Sequence, residues 1–228
     1  MIGLLGKGLN LTGWNRITPV LDTYELAYSH LTSHTDISSS FDLVISCGYA
    51  RIIPPDYLSE PKNGLVVFHS SDLPEGRGWA PLFYTIMLKK KRLTQTLFYA
   101  TEEVDAGPII AKAHYPIDEC MQIATLRKID DELTCMLLKE TVQDLAVHRV
   151  AGVEQAHSEA TYWEKRVPSD SKIDPSSNVT ELFDLMRALP AEYAAYFEQD
   201  GKKFSLMLRN EHEFLFDEAK VDLKRHYL

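Results

Sequence analysis

The sequence predicts an α/β fold: helices flank an open, twisted, mainly parallel sheet, and a small helix and a β-hairpin follow at the C-terminal end. Three observations predict this fold. Short, continuous apolar runs indicate strands covered on both faces, which is typical of parallel sheets. Helical segments separate several of these runs, and such alternation favours a parallel arrangement. After Ala151 the composition and patterning of the chain change, which indicates a smaller appended piece.

Four segments are predicted strands. Residues 1–5 form an apolar run that ends in the tight turn Gly6-Lys7-Gly8. Residues 41–47 form a second run that ends at Gly48, and residues 64–68 form a third. Residues 93–100 alternate apolar and polar side chains, which predicts a further strand.

Two segments of the first two thirds are predicted helices. Residues 80–88 follow a glycine turn and are rich in large apolar side chains. Residues 125–147 keep one apolar face at helical spacing, formed by Leu126, Ile129, Leu133, Met136, Leu137 and Leu145. We therefore predict a Rossmann-like N-terminal domain over residues 1–160.

The remaining residues, 161–228, are predicted to form a C-terminal piece. Residues 161–178 contain two prolines and many polar side chains, and we interpret them as an extended linker. Residues 181–189 form a short amphipathic helix. Within residues 195–208, Asp200-Gly201 lies between two apolar arms, which is a strong hairpin signal.

Composition excludes several classes of protein. The 228 residues are 45% hydrophobic and 25% charged, which is ordinary for a soluble globular chain. The formal net charge of −9 gives no global attraction to a polyanion, so we expect no nucleic-acid partner. Three cysteines without C-x-x-C spacing argue against a disulfide framework and against a structural zinc site. No signal peptide or membrane-spanning apolar stretch is evident, so we expect a cytoplasmic protein without membrane contact.

A histidine and an aspartate are the candidates for chemistry. Ligands of open α/β sheets bind beyond the carboxyl ends of the strands. His69 ends the third predicted strand, and Pro74, Gly76, Gly78 and Pro81 constrain the loop after it. Asp105 lies in a second constrained turn. If both loops are of the βα type, the two side chains meet above the sheet and support acid–base chemistry near neutral pH. The alternative is that His69 is buried and bonded only to backbone.

Two segments carry a resemblance to a known family. The run 69-HSSDLPEGRGWAP-81, followed by 104-VDAGPII-110, resembles the formyltransferase pattern N-x-H-x-S-x-L-P-x-x-x-G with a later D-x-G. The family includes methionyl-tRNA formyltransferase and sugar-nucleotide N-formyltransferases, and its donor is a tetrahydrofolate with a formyl group at N10. The segment 162-YWEKRVPSDSKID-174 resembles the family's R-x-P-x-D-x-x-I-D. The resemblance is good over residues 41–115 and looser elsewhere, and it implies that residues 1–160 are the catalytic domain.

The resemblance implies specific roles for residues of this chain. His69 would stabilise the oxyanion formed at the formyl group, and Asp105 would orient His69 and move a proton. The implied donor-binding residues are Gly48, Tyr49, Ala50, Arg51, Ile52 and Asp105. The implied acceptor-binding residues are Ser70, Ser71, Arg77, Gly78, Trp79 and Pro81. No metal ligand is implied.

One position departs from the family pattern. The family asparagine two residues before the histidine corresponds to Val67. Valine donates no hydrogen bond, and the loss of one oxyanion donor typically slows a reaction about 10²–10³-fold. Candidate substitutes are a backbone N–H of residues 69–72 and the hydroxyls of Ser70 and Ser71.

The acceptor is inferred from the C-terminal piece. A short extension with a hairpin is most similar to the sugar N-formyltransferases, which act on an amino sugar linked to a nucleoside diphosphate. The resemblance implies N10-formyltetrahydrofolate as donor and a homodimer joined through the hairpin. The alternatives are a formyltetrahydrofolate hydrolase, a catalytically degenerate folate or sugar-nucleotide binder, and an α/β domain without a specific ligand.

Overall fold

The computed structural model describes residues 1–209, 211 and 214–227. The strands are β1 (Ile2–Gly6), β2 (Tyr28–Leu31), β3 (Leu43–Cys47), β4 (Leu65–His69), β5 (Arg77–Gly78), β6 (Arg92–Tyr99), β7 (Ile109–Pro116), β8 (Tyr162–Trp163), β9 (Ala195–Gln199), β10 (Lys202–Leu206) and β11 (Asp222–Arg225). The helices are α1 (Thr18–Thr23), α2 (Pro55–Leu58), α3 (Pro81–Met87), α4 (Ile123–Val147) and α5 (Val179–Ala188).

A seven-stranded mixed sheet forms the centre, in the order β11-β7-β6-β4-β3-β1-β2. Strands β2, β1, β3 and β4 pair in parallel, whereas β6, β7 and β11 each pair antiparallel to the preceding neighbour. Five of the seven strands consequently point the same way. This confirms the prediction of an open, mainly parallel α/β sheet with flanking helices.

The apolar runs that predicted strands are buried as expected. All five residues of β3 are buried, as are the first four of β1. Helix α4 covers the sheet with the predicted apolar face: Leu126, Ile129, Leu133 and Leu137 are inaccessible to solvent. Burial of these side chains is the main favourable contribution to folding.

The C-terminal piece packs on the sheet domain and returns to it. Its helix α5 begins with a reciprocal capping box between Asn178 and Glu181. The predicted hairpin is present as β9 and β10, which are joined by the turn Asp200-Gly201. Sequence analysis did not predict β11, which pairs with β7 at the sheet edge. Its residues Asp222-Leu-Lys-Arg225 are typical of an edge strand, where charged side chains prevent further pairing, and such a strand lacks an apolar signal.

Within the described ranges, no helix is long and apolar enough to cross a membrane.

Candidate active site

His69 stands at the carboxyl end of β4 and its side chain is largely buried. Its Nε2 lies 2.8 Å from the carbonyl oxygen of Gly76. Because a carbonyl oxygen only accepts hydrogen bonds, Nε2 carries a proton and donates it. The ring therefore presents its other nitrogen, Nδ1, for proton transfer.

Asp105 faces that nitrogen: its Oδ2 lies 3.8 Å from His69 Nδ1. The backbone N–H of Gly78 donates to the same carboxylate oxygen at 2.8 Å, and the Gln155 side chain donates to the Asp105 carbonyl at 2.9 Å. Asp105 has φ +53°, a left-handed conformation that is unfavourable for a residue with a Cβ. The contacts from both sides hold it there, as is common for strained residues at functional sites.

The route by which Asp105 reaches His69 differs from the predicted one. Register pairs Val66 near the start of β4 with Tyr99 at the end of β6, so the two strands run in opposite directions. Asp105 therefore follows the far end of β6, and residues 100–108 must fold back along the sheet to reach His69. The expectation of two βα-type loops was wrong, because the pairing direction of β6 is fixed by its neighbours in the sheet.

The two glycines beside Arg77 are required by the strand pairing of β5 with β8. A Cβ on Gly76, which has φ +79°, would lie 2.4 Å from the Trp163 ring. A Cβ on Gly78, which has φ +99°, would lie 2.6 Å from the Trp163 carbonyl oxygen. The G-R-G segment thus passes tightly against the linker, which fixes the Gly76 carbonyl and the Gly78 N–H that hold His69 and Asp105.

The expectation that Arg77 contacts the acceptor is not supported by its position. Its side chain is completely buried and points away from the cleft. Its guanidinium donates to Gln155 Oε1 at 2.8 Å, to Glu103 Oε1 at 2.8 Å and to the Tyr162 hydroxyl at 2.9 Å. A guanidinium so engaged has no free donors for a substrate phosphate, so Arg77 ties the loop to the linker instead.

Above His69 and Asp105 lies a cleft of about 470 Å³, which we call the first chamber. All the loop residues implied as donor contacts line it: Gly48, Tyr49, Ala50, Arg51 and Ile52. Its apolar walls include Ile53, Leu58 and Phe98. The Tyr49 hydroxyl is already bonded to His34, 2.8 Å from Nδ1, so this side chain presents mainly its ring.

A second chamber of about 510 Å³ adjoins the first. The residues that line both are Asn10, Ser70, Trp79, Ala80 and Pro81. Arg127, Lys165 and Arg166 bring cationic side chains to the second chamber, and Arg127 is paired with Glu192 at 2.8 Å. The Lys165 ammonium lies 4.6 Å from the Trp79 ring centroid, in a cation–π contact. Sequence analysis missed Arg127 and Lys165, because isolated basic residues on a helix and in a linker carry no local signal of a shared pocket.

The predicted substitutes for the missing asparagine differ in position. Val67 is half-buried, lines the first chamber and packs with Leu73 and Phe98. Ser70 lines both chambers, in agreement with a role at the site. Ser71 does not: its side chain is buried outside both chambers, and its carbonyl accepts from Thr96 Oγ1. The expectation of a Ser71 contact with substrate is therefore not supported by its position.

Helix α4 brings two carboxyl groups to the first chamber that sequence analysis did not identify. Asp131 accepts hydrogen bonds from the backbone of Asn10 and Leu11, at 2.8 and 3.0 Å, and so holds the loop after β1. Burial raises the pKa of Asp130 to about 7, against the opposing effects of Ser70 and Asn10. The available signal was an acidic residue four positions after Leu126, on the apolar face of the helix.

Comparison with known proteins agrees with this geometry. Residues 29–139 match the model of the formyl transferase family. The chain is 32% identical over 160 residues to methionyl-tRNA formyltransferase of Bacillus pumilus, an alignment that covers 70% of this chain and 50% of that protein. The chain thus spans about half the length of the curated relatives it matches.

Two solved structures share the fold. A sugar N-formyltransferase from a Shewanella species superposes with a TM-score of 0.78 at 18% identity, covering 93% of this chain and 98% of that one. HypX from Aquifex aeolicus in complex with tetrahydrofolic acid superposes with a TM-score of 0.71 at 20% identity, covering 91% of this chain and 37% of that one. At these identities the likeness establishes a common fold.

Proposed function

The chain belongs to the folate-dependent formyltransferase family, and we propose that it transfers a formyl group from N10-formyltetrahydrofolate to the amino group of a nucleoside-diphosphate-linked sugar. One observation carries the proposal: the His69–Asp105 pair lies at the floor of a cleft whose two chambers differ in chemistry. A reaction between two unlike substrates needs such a pair of adjoining sites.

The first chamber suits the donor. Ile53, Leu58 and Phe98 offer apolar walls to a flat, fused ring, and the backbone of residues 48–52 offers hydrogen-bonding groups along one edge. Tetrahydrofolate formylated at N10 supplies the reactive carbonyl carbon when bound.

His69 and Asp105 supply the chemistry at that carbon. With Nε2 anchored on Gly76, protonation of Nδ1 turns the ring into a donor toward the carbonyl oxygen, which stabilises negative charge there as the amine adds. Asp105, held by the Gly78 N–H, neighbours the charged ring and accepts the proton that the attacking nitrogen must pass to N10. The Gly78 N–H and the Gln155 amide hold Asp105 in this position despite its left-handed backbone.

The second chamber suits the acceptor. Arg127, Lys165 and Arg166 match a diphosphate, and the exposed face of Trp79 offers stacking to a base or a sugar. The Arg166 Nε atom is buried and has no hydrogen-bond partner among the described residues. The net charge of −9 opposes a polyanionic acceptor such as a whole tRNA, which favours a small nucleotide.

The test is a turnover assay with N10-formyltetrahydrofolate and a panel of nucleoside-diphosphate amino sugars with dTDP, UDP and GDP. Wild-type protein is expected to release tetrahydrofolate and formylated sugar, and His69→Ala is expected to abolish both. His148→Ala, which changes an exposed histidine outside both chambers, is the matched control. Formate release without an acceptor would instead indicate a hydrolase. Binding of folate without any product would indicate a degenerate binder, in line with Val67.

We also propose that the active form is a homodimer joined through the hairpin of β9 and β10. Phe204 stacks on Phe197, with ring centroids 5.3 Å apart, and remains 45% exposed. An exposed aromatic surface of this kind is typical of a protein–protein interface. Sedimentation is expected to show a dimer that Phe204→Asp dissociates, while a wild-type monomer would contradict the proposal.

A further inference from the structure

The carboxyl of Asp130 has no role in the chemistry described above, yet it lines the first chamber. Only 4% of the residue is exposed. Its Oδ2 accepts a hydrogen bond from Asn10 Nδ2 at 2.8 Å, while its Oδ1 has no partner in the part of the chain that the structure describes. A buried carboxylate oxygen without a donor is costly, so its presence at a ligand site calls for a proton or a donor supplied from outside.

A second unmatched acceptor lies along the same chamber. Gln95 donates from Nε2 to Thr134 Oγ1 at 2.6 Å, and Thr134 donates in turn to the Asp130 backbone carbonyl at 2.9 Å. This chain of donors fixes the Gln95 amide so that Oε1 is the atom left over, and Oε1 has no partner among the described residues. The α4 side of the chamber therefore holds acceptors in excess of donors.

Ser70 links these groups to the acceptor site. It follows His69 directly, is half-buried and lines both chambers. Ser70 and Asp130 line the same chamber, and the Ser70 hydroxyl opposes the rise of the pKa of that carboxyl. A hydroxyl accepts one proton while it donates another, so Ser70 can connect an amine in the second chamber with the buried Asp130.

We propose that Asp130 takes, through the hydroxyl of Ser70, the proton that the acceptor amine must lose before it attacks. This proposal rests on the proposed function. One N–H bond of the ammonium breaks, its proton joins Ser70 Oγ, and the proton of that hydroxyl joins Asp130 Oδ1. The products are a neutral amine, an unchanged serine and a neutral carboxylic acid. This is the one proton that formylation of an ammonium releases overall. The second proton, which moves to N10, remains with Asp105 and His69.

The surroundings suit a group that changes its protonation near neutral pH. Burial raises the pKa of Asp130 to about 7, and the neighbouring charge of Asp131 on the same helix acts in the same direction. Cys47, at the end of β3, is kept neutral because burial raises the pKa of its thiol. The other ionisable groups that line the chamber are Tyr49 and Arg51 after β3, His69 on β4, Glu102 and Asp105 after β6, and Asp131 on α4. A base is most effective when its pKa lies near the working pH.

The test is the dependence of kcat/KM on pH for Asp130→Asn, with the amino-sugar nucleotide as the varied substrate. We expect a loss of about 100-fold at pH 7, which is in the range of general base catalysis. The difference in kcat/KM between wild type and Asp130→Asn should become smaller above the pKa of the amine, which is about 8 for a group like an α-amine. Above that pH the amine binds in its neutral form and has no proton to lose. Ser70→Ala should behave alike, and the double variant should lose no more than either single one.

Asp131→Asn is the matched control, since this carboxyl is equally buried one residue along but holds backbone N–H groups. It should lower the melting temperature and move the pH profile toward lower pH, because the charge of Asp131 helps to raise the pKa of Asp130, but it should not show the loss of about 100-fold at pH 7. A loss in Asp130→Asn that is uniform from pH 6 to 10, or equal in the control, would show a structural role and overturn the proposal. Normal turnover by Asp130→Asn overturns this proposal alone. A wild type that formylates no acceptor overturns the proposed function and this proposal with it.

Discussion

Replacing Asp130 by asparagine should change how stability depends on pH, independently of any activity. Burial holds the pKa of this carboxyl at about 7 in the folded chain, against 3.8 when it is solvated. The folded state therefore binds more protons than the unfolded state between these values. It follows that the free energy of unfolding falls as pH rises through this window. A difference of about three pKa units, at 1.36 kcal/mol each, sets the total at up to about 4 kcal/mol.

Asparagine stays neutral at every pH, so the free energy of unfolding of the variant does not fall for this reason as the pH rises. Its amide can still accept from Asn10, but its NH₂ group takes the place of the unpartnered Oδ1, at a cost of about 1–3 kcal/mol that does not depend on pH. Urea unfolding followed by circular dichroism at pH 4.5 and pH 8.5 separates the two effects. We expect the stability of the variant relative to wild type to improve by about 2–4 kcal/mol at the higher pH. An unchanged difference between the two pH values would show that Asp130 is not a buried, poorly compensated carboxyl.

Three further substitutions test individual parts of the site. Arg77→Lys should lower the free energy of unfolding, measured in urea, by about 3 kcal/mol, because an ammonium cannot reach Gln155, Glu103 and Tyr162 together. The KM for the acceptor should stay unchanged. A raised KM would show that Arg77 contacts the substrate after all. Val67→Asn should raise kcat by up to about 10²–10³-fold if it restores an oxyanion donor. The substitution should also lower the free energy of unfolding by about 1–3 kcal/mol, because packing on Leu73 and Phe98 is lost. Steady-state kinetics that show no gain in kcat would mean that another group already donates to the oxyanion. Lys165→Ala should raise the KM for a nucleotide-linked acceptor about tenfold and leave the KM for folate unchanged. Equal changes in both KM values would contradict the proposal that donor and acceptor bind in separate chambers.

Much of the fold follows from apolar patterning. Strands β1, β3 and β4 are continuous apolar runs because parallel strands are covered on both faces, and α4 shows its buried face at helical spacing. The direction of β6 does not follow from its own residues, because the same alternating sequence can pair with a neighbouring strand in either direction. The edge strand β11 lacks an apolar signal because solvent covers one side of it.

Two residues of the candidate site could be picked out because prolines and glycines constrain the loops that carry them. His69 and Asp105 were identified from constrained loops, and the structure places them together. Arg77 was misassigned because a guanidinium suits a phosphate and a buried hydrogen-bond network equally well. Asp130, Lys165 and Arg127 were missed because their shared cleft is made by tertiary packing of distant segments.

We propose above that the cleft moves a formyl group to an amine. The most direct test of this proposal uses tetrahydrofolate carrying a ¹³C-labelled formyl group at N10, incubated with the protein and the preferred amino-sugar nucleotide, with the fate of the label followed by NMR. We expect the label to appear as a formamide carbon on the sugar nitrogen, with His69→Ala inactive. Label that appears only as formate, at a rate independent of the acceptor, would contradict it.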